Sequence, residues 1–491
     1  MSVVAARPAA ESGLAGTVMR GLAWRSGSQI FAQLVTWGAT FLVLRLLGPA
    51  DYGLFAMTQS VLALLGMLAG ASFASALVRQ ETLDPAQVRQ VFGLLILLNA
   101  GLAAIQFALA PLVAAYFRQP LVADLLRVQV LLYVANPFLA LGGALLARKM
   151  DFRAQAIANF CAAFAGAGTA LGGALSGFGV WTLVAAPIAM FWVRAIGLTI
   201  VARLAIRPSF DVRGAGATIG FGLAMIVSQL FWFVQTQADV FIGGRAFGAH
   251  DLGLYTTALF LAQILTAKFV PPMNEVAFAA YARLQHNRAG LAAAFARSTG
   301  LIMLVALPFY AGMAITARPL VLTMLGDHWA GAVPMVRWLA CAMPFVTLQI
   351  LFAPATNAIG RPRFAVYGAI AGAIIMPAAF LIAVGGGPEA MALAWIAAFP
   401  LVATVTAAIS LRALALRWRM LFAALRPPLL ASGLMVALLL PLNLILPPLA
   451  PPLQLAMLVA AGGICYLLGV HLFARAALRD LLALVRNRAA G

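Results

Sequence analysis

One stretch of this chain occurs twice, 200 residues apart. Residues 28–55 align without a gap with residues 228–255, and ten of the 28 positions are identical. Each copy consists of an apolar segment, a short turn that contains Gly and Asp, and a second apolar segment. The identical positions are Ser28, Gln29, Phe31, Thr36, Phe41, Arg45, Gly48, Asp51, Gly53 and Leu54, each with its counterpart in the second copy. The repeat predicts two related halves around a shared axis, which is the construction of many secondary transporters.

The composition places these halves in a membrane. Of the 491 residues, 64% are hydrophobic and 9% are charged, which is more apolar than a soluble domain requires. Because a spanning helix needs about 20 apolar residues, the pattern predicts an all-α integral membrane protein. Fourteen spans are predicted, at 26–46, 53–77, 91–116, 124–147, 155–176, 178–202, 217–243, 252–273, 299–322, 331–357, 365–385, 389–411, 426–446 and 453–474.

The repeat assigns these spans to two pseudo-symmetric six-helix lobes and a C-terminal addition. Residues 1–212 form the predicted N-lobe with spans one to six, and residues 213–424 form the predicted C-lobe with spans seven to twelve. Residues 425–491 contain spans thirteen and fourteen and a cytoplasmic tail, and they lie outside the repeat.

The basic residues are distributed unevenly among the predicted loops. Of the 32 Lys and Arg residues, 25 lie before the first span or near the connections that follow even-numbered spans. Because loops rich in Lys and Arg stay in the cytoplasm, both termini are predicted to be cytoplasmic. The net charge of +19 is then explained by the cytoplasmic loops, whose Lys and Arg residues are attracted to anionic lipids. It does not predict nucleic-acid binding.

Ionisable residues inside the bilayer are costly and are candidates for function. Asp239 is the acidic residue that lies clearly within a predicted span. It predicts a proton or cation site, or an ion pair with an Arg of the other lobe such as Arg45. A structural ion pair near the membrane interface is the alternative reading.

Three basic residues are the next candidates: Arg194 and Lys268 are the deepest cations of the predicted spans, and Arg25 lies at the inner mouth of span one. If they face a central cavity, they would attract an anionic group such as a diphosphate. The alternative is that their long side chains extend toward the headgroups without a role in binding.

Five amides form the second group of candidates: Gln29, Gln33, Gln229, Gln235 and Gln237. Amides are unfavourable in lipid and should face protein or water, so spans one and seven are predicted to line a cleft between the lobes. Amides can hydrogen-bond sugar hydroxyls. Hydrogen bonding between helices is the alternative.

Signals of an enzyme or a cofactor site are weak. The four His residues share no metal-ligand spacing, and the three Cys residues each lie inside an apolar run. The sequence predicts no catalytic residues, no metal and no cofactor.

Three motifs resemble those of a known family. Leu46 to Gly53 read Leu-Leu-Gly-Pro-Ala-Asp-Tyr-Gly, Asp239 to Gly243 are followed by Leu-Gly-Leu-Tyr at 252–255, and residues 325–329 read Leu-Gly-Asp-His-Trp. Together they resemble the polysaccharide-transporter branch of the multidrug/oligosaccharidyl-lipid/polysaccharide exporter superfamily, over spans one to twelve. The resemblance implies two lobes like those of multidrug and toxic compound extrusion (MATE) transporters.

The resemblance also implies an activity. A member of this branch would be a flippase that moves an undecaprenyl-diphosphate-linked oligosaccharide across the bacterial inner membrane by alternating access. Related peptidoglycan-precursor flippases have several central Arg residues, whereas this chain has few deep cations, which favours an exopolysaccharide, capsule or O-antigen unit. Implied partners are the lipid-linked oligosaccharide, membrane lipids, a polysaccharide polymerase and export machinery, and coupling to a proton or sodium gradient is open.

Two other functions stay open. One is a cation-coupled multidrug antiporter of the same superfamily, with Asp239 as the coupling carboxylate. The other is a membrane glycosyltransferase or polymerase, for which a long outer loop with acidic groups would be expected and is not predicted.

Overall fold

The computed structural model describes residues 33–68, 84–149, 152–204, 206–210, 216–447 and 449–475. This part of the chain is helical and contains no β-strand. The contacts divide the chain into two compact units, which we call unit one (residues 1–227) and unit two (residues 228–491).

Helices α1 to α7 lie in unit one, and α8 begins there and continues into unit two. They are α1 (Gln33–Leu46), α2 (Pro49–Leu68), α3 (Pro85–Phe117), α4 (Leu121–Gln129), α5 (Leu131–Arg148), α6 (Phe152–Leu175), α7 (Val180–Ala202) and α8 (Gly216–Ala246).

Unit two continues with ten α-helices and two 3₁₀ turns, at Asp327–Ala332 and Val384–Gly386. The helices are α9 (Ala249–Lys268), α10 (Val270–Arg283), α11 (Arg288–Ile315), α12 (Ala317–Met324), α13 (Val333–Ile350), α14 (Phe352–Ala358), α15 (Arg363–Ala383), α16 (Gly387–Ala413), α17 (Trp418–Ile445) and α18 (Pro451–Phe473).

Helix ends follow from local sequence signals. Before α2, the Asp51 carboxylate accepts a hydrogen bond from the Gly48 backbone N–H at 3.3 Å. At the start of α3, the Asp84 carboxylate accepts one from Ala86 N–H at 2.9 Å, with Pro85 as the first helical residue. Gly179, which precedes α7, has φ 54° and ψ −134°, a conformation that only Gly adopts readily.

Small residues allow helices of unit one to pack closely. A Cβ atom at Gly166 would lie 3.1 Å from the Cβ of Met190, and one at Gly173 would lie 2.9 Å from the Thr182 hydroxyl oxygen. Helix α7, which carries both of these neighbours, also contacts α2, α4 and α5. It therefore forms the centre of unit one, as expected for membrane helices that associate through small residues.

Unit two is built around α13 and α16. Helix α16 contacts α9, α13, α14 and α15, and its Trp395 stacks on Phe399 with ring centroids 5.0 Å apart. Helix α17 packs on this unit through α11, and α18 packs on it mainly through α12. The Tyr466 hydroxyl of α18 donates a hydrogen bond to the Leu304 carbonyl of α11.

Ten segments of the described chain are helical, long and apolar enough to cross a membrane. They cover the predicted spans three to six and eight to fourteen, because one segment, Arg363–Ala413, contains both α15 and α16. Large apolar side chains point outward on these segments, and Ile382 is 86% exposed. The chain is thus a multi-pass, all-helical membrane protein. The total of 14 spans and the division into two lobes and a C-terminal addition stay predictions.

The segment after α7 is held against α3 within unit one. The Ser209 backbone N–H donates to the Arg89 carbonyl at 2.8 Å, and Arg89 Nε donates to the Arg207 carbonyl at 3.1 Å. A Cβ at Gly93 would lie 1.9 Å from the Ser209 carbonyl oxygen. Gly at position 93 therefore permits residues 206–210 to lie directly on the α3 backbone.

Candidate functional site

Helix α8 places two of the predicted site residues inside unit two. Gln235 and Asp239 are four residues apart, so they lie on one face of the helix, about 6 Å from each other along its axis. Their exposed fractions are 1% and 0%. Both side chains therefore depend on partners within the protein, because buried polar groups need hydrogen bonds.

The partners of Asp239 come from α8, α9 and α16. Its Oδ1 accepts the Val240 backbone N–H at 2.8 Å, and its Oδ2 accepts the Tyr255 hydroxyl at 2.9 Å. The Tyr255 oxygen in turn accepts the Trp395 indole N–H at 2.8 Å. The three side chains, which we call the Asp239 network, form a directed chain of donors that ends on the carboxylate.

No basic side chain in the described residues of unit two pairs with Asp239. A buried carboxylate without a counter-charge is strongly destabilised in its ionised form. This geometry is compatible with a proton or cation site, which is one of the functional readings of the sequence and stays a prediction. The other functional reading, an ion pair with Arg45, and the alternative reading, a structural ion pair near the membrane interface, stay predictions.

Gln235 is held by a second amide of unit two. Its Nε2 donates to Gln349 Oε1 at 2.9 Å, and Gln349 Nε2 lies 3.3 Å from Gln235 Oε1 in the reverse direction. The pair lies against Gly372 of α15, where a Cβ would come within 1.9 Å of Gln235 Oε1. In this structure Gln235 thus bonds α8 to α13, the role that the alternative reading of the amides assigned to it.

The other predicted site residues are placed differently. Gln33 and Gln237 are half-buried, whereas Arg194, Gln229 and Lys268 are exposed. Thirteen residues of α9, or about 20 Å, separate Lys268 from Tyr255, so Lys268 is not part of the Asp239 network. Arg25 and Gln29 lie outside the described residues. The roles of these side chains in a cavity stay predictions.

Tyr255, Trp395 and Gln349 were not predicted as site residues. Tyr255 lies in one of the quoted motifs, and the repeat contains a signal for it: Asp239 and Tyr255 correspond to Ala39 and Phe55 in the first copy. Two apolar residues are thus replaced together by two polar ones. In unit one, Phe55 packs with an apolar cluster that contains Leu125. No comparable signal marks Trp395 or Gln349, which are more than 100 residues away along the chain.

Unit one has polar pairs of its own, which the sequence analysis also missed. Gln106 Nε2 donates to the Leu126 carbonyl at 2.7 Å, and the Tyr133 hydroxyl donates to Gln106 Oε1 at 2.9 Å. Gln129 Nε2 donates to the Thr58 hydroxyl at 3.1 Å. These buried groups hydrogen-bond helices of unit one to one another, and no Asp, Glu, His, Lys or Arg side chain is among them.

Metal binding has no support in the described residues. No group of three or more His, Cys, Asp or Glu side chains there is arranged to hold a metal ion. The predicted absence of a metal and of a cofactor remains an expectation from the sequence.

Comparisons with known proteins agree with the fold. The chain is 29% identical over 390 residues to the succinoglycan biosynthesis transport protein ExoT of Rhizobium meliloti (strain 1021), covering 78% of this chain and 77% of that protein. It is 22% identical over 406 residues to the teichuronic acid biosynthesis protein TuaB of Bacillus subtilis (strain 168), covering 80% and 83% of the two chains.

Two solved structures share the architecture. The lipid II flippase MurJ, in an inward closed conformation, has a TM-score of 0.76 at 11% identity and covers 92% of this chain and 99% of its own. An inward-facing MATE family transporter has a TM-score of 0.61 at 15% identity and covers 77% and 94%. These similarities concern the fold, and they confirm the predicted all-helical, MATE-like class.

The family model described as polysaccharide biosynthesis protein matches residues 42–334, more than half of the sequence. This range contains all three motifs quoted for the resemblance, from Leu46 to Trp329. The chain therefore belongs to the polysaccharide biosynthesis protein family.

Proposed function

We propose that this protein is a flippase for an undecaprenyl-diphosphate-linked oligosaccharide used in exopolysaccharide, capsule or O-antigen biosynthesis. The observation that carries the proposal is the relationship, over most of both chains, to a protein named for transport in succinoglycan biosynthesis. The exporter fold supports it, because a hydrated sugar and a diphosphate cannot cross hydrocarbon unaided.

The exposed and half-buried polar residues are the candidates for contact with this substrate. Arg194 and Lys268, with Arg25, supply charge for the diphosphate. Gln33, Gln229 and Gln237, with Gln29, supply amides for sugar hydroxyls. Gln235 and Asp239 are engaged inside unit two, so we assign them to the coupling of transport to a proton or sodium gradient and not to substrate contact.

The proposed setting is the bacterial inner membrane, with both termini in the cytoplasm. Transport would occur by alternating access of the two lobes. The polysaccharide polymerase and export machinery would receive the product at the outer leaflet. No catalytic step is assigned to the protein.

Deletion of the gene tests the function. We expect surface polysaccharide to be lost while the lipid-linked repeat unit accumulates in the inner leaflet, and a plasmid copy should restore the polymer. The charge-removing variants Arg194→Gln and Lys268→Gln should complement poorly. Arg412→Gln, which removes an exposed cation near the end of α16, is the matched control. Unchanged polysaccharide in a deletion strain without a second flippase would reject the proposal.

A multidrug antiporter is the second candidate, because the fold is shared with a MATE transporter and Asp239 is a buried carboxylate. In that case expression should raise drug resistance, and Asp239→Asn should abolish the effect. Equal drug susceptibility with wild-type protein, with Asp239→Asn and with an empty vector would exclude this function. A glycosyltransferase or polymerase would instead form product with the purified protein alone.

A further inference from the structure

A line of buried polar side chains leads from Asp239 toward the end of unit two at which α15 begins and α16 ends. Gln235 lies one turn before Asp239 on α8, and it pairs with Gln349 of α13. Each step along such a helix face is about 6 Å. The amide pair therefore forms the first polar position beyond the Asp239 network.

Helix α15 carries Gly at two successive turns of the face that meets this line. A Cβ at Gly372 would lie 1.9 Å from Gln235 Oε1, and one at Gly368 would lie 3.2 Å from the Thr406 hydroxyl oxygen. Because Gly368 and Gly372 are four residues apart on one helix, their two polar neighbours lie one after the other along α15. The line thus passes from Gln235 to Thr406 of α16.

The line ends at two hydroxyl groups without partners. Thr406 and Ser410 are one turn apart on α16 and are 4% and 0% exposed. Neither hydroxyl oxygen has a hydrogen-bond partner. Buried polar groups of this kind are satisfied by ordered water, so the two side chains offer positions for water between the amide pair and the end of α16.

The opposite direction is closed by apolar side chains. Phe380 and Met391 are fully buried. The Phe380 ring lies 5.9 Å from the Trp395 ring, and the Met391 sulfur lies 3.3 Å from the position of a Cβ at Gly243. Among the described residues of unit two, the buried polar groups of this line therefore lead away from the Asp239 network toward one end of the unit.

A proton fits the Asp239 network better than a metal ion does. Both carboxylate oxygens already accept hydrogen atoms from Val240 and Tyr255, whereas a hard metal cation takes about six oxygen ligands. Tyr255 is the only titratable side chain that contacts Asp239 in the described part of unit two. Charged residues of the helices that meet here lie at or near helix ends: Arg245, Asp251, Lys268, Arg337, Arg363, Glu389 and Arg412.

We propose that unit two contains a proton-binding site at Asp239 with a one-sided access route through Gln235, Gln349, Thr406 and Ser410. Protonation of a carboxylate oxygen neutralises the buried charge, and deprotonation restores the acceptor for Tyr255 and Val240. The proposed topology puts the open end of the route in the cytoplasm. The role of this site in coupling rests on the proposed transport function, but the site can be tested without a transported substrate.

Dicyclohexylcarbodiimide tests the site, because it reacts with protonated carboxyl groups in apolar surroundings. The full-length protein is reconstituted in liposomes in a known orientation, with the pH of each side set separately and the membrane potential clamped. In the pH range in which Asp239 is mostly ionised, its labelling, measured by mass spectrometry of its peptide, should rise about tenfold for each unit that the pH falls on the α16-end side, and it should level off at lower pH. The pH of the other side should have no effect.

The double variant Thr406→Val/Ser410→Ala tests the route. Its labelling should lose the dependence on the pH of the α16-end side. The control is Thr404→Val, which lies two residues away on the exposed face of α16 and should behave like the wild type. Ser410→Ala alone, which removes one unpartnered oxygen, is the second arm if the double variant does not fold.

Three results would overturn the inference: labelling that follows the pH of the other side, an unchanged response in both route variants, or protection by sodium ions at constant pH. Surface polysaccharide in cells reports the transport function separately. If labelling depends on the pH of one side but the protein does not support polysaccharide export, the proposed substrate is rejected and the proposed proton site is retained.

Discussion

At the residue scale, Tyr255 is the link between three helices of unit two. Its hydroxyl donates to Asp239 and accepts from Trp395, and it is fully buried. Removing the oxygen leaves an indole N–H without an acceptor and a carboxylate without one of its donors.

Tyr255→Phe should therefore destabilise the protein by about 1–3 kcal/mol, the penalty for unpaired buried polar groups. The measurement is thermal unfolding of the purified protein in detergent. Tyr367→Phe is the control, because Tyr367 is 49% exposed on α15. Equal stability of the Tyr255 variant and the wild type would show that the hydrogen-bonded chain does not contribute to folding.

Gly372 is the second residue with a specific steric role. A methyl group at this position would overlap Gln235 Oε1 at 1.9 Å and would displace the amide pair. Gly372→Ala should destabilise unit two by about 1–3 kcal/mol. Gly433→Ala is the control, because no atom lies within 4 Å of a Cβ there and Ala favours the helix.

The clash has a direct test in a double-mutant cycle. Combining Gly372→Ala with Gln235→Ala should recover part of the loss, with a coupling energy of about 0.5–3 kcal/mol between neighbouring sites. Strictly additive effects in thermal unfolding would mean that the methyl group and the amide do not compete for the same space.

Sequence reasoning could identify some of these residues and not others, for a physical reason. Asp239 and Gln235 are polar residues in an apolar segment, so their cost in lipid marks them. Trp395 and Gly372 belong to apolar helices of ordinary composition, and their importance appears only when α8, α15 and α16 pack. Contacts between residues more than 100 positions apart leave no local pattern to recognise.

At the element scale, α3 and the segment 206–210 act together through Gly93. The Ser209 carbonyl occupies the space that a side chain at position 93 would need. The backbone cannot yield as a flexible side chain would, so any larger residue should release the segment from α3.

Gly93→Ala should therefore expose residues 206–210 to protease, which limited proteolysis followed by mass spectrometry would detect as faster cleavage there. Gly101→Ala on the same helix is the control, because a Cβ at that position meets nothing within 4 Å. Identical cleavage of both variants would contradict the close packing of the segment on α3.

Most helices could be predicted from hydropathy, because length and apolar content suffice to mark them. Breaks within a predicted span could not, since they depend on single residues. The break between the predicted spans 365–385 and 389–411 agrees with the structure, in which Gly387, with φ 84°, begins α16 directly after the Val384–Gly386 turn. Phe269 separates α9 from α10 where Pro271 and Pro272 follow, and the predicted span 252–273 crosses this boundary.

At the scale of the whole molecule, the distribution of Lys and Arg predicts the orientation of every span. The turn between α14 and α15 should face the cytoplasm, and the turn between α17 and α18 should face the opposite side. Single Cys residues placed at Arg361 and at Ala450, in a chain without its three native Cys, test this.

A membrane-impermeant thiol reagent added to intact cells should label the Ala450→Cys protein and should leave the Arg361→Cys protein unlabelled. After the cells are opened, both should react. The three predicted spans between the two positions place them on opposite sides of the membrane. Labelling of both positions in intact cells, or of neither, would contradict this arrangement and with it the cytoplasmic placement of the termini.

The two copies of the repeat differ at two aligned positions, where Ala39 and Phe55 of the first copy correspond to Asp239 and Tyr255 of the second. The same comparison can be made in other members of the family. All four residues lie in helices, so the copies differ there in side-chain chemistry and share the backbone conformation. If Asp239 couples transport to a gradient, as we propose, family members with apolar residues at these two positions in both copies should not use a gradient that acts here.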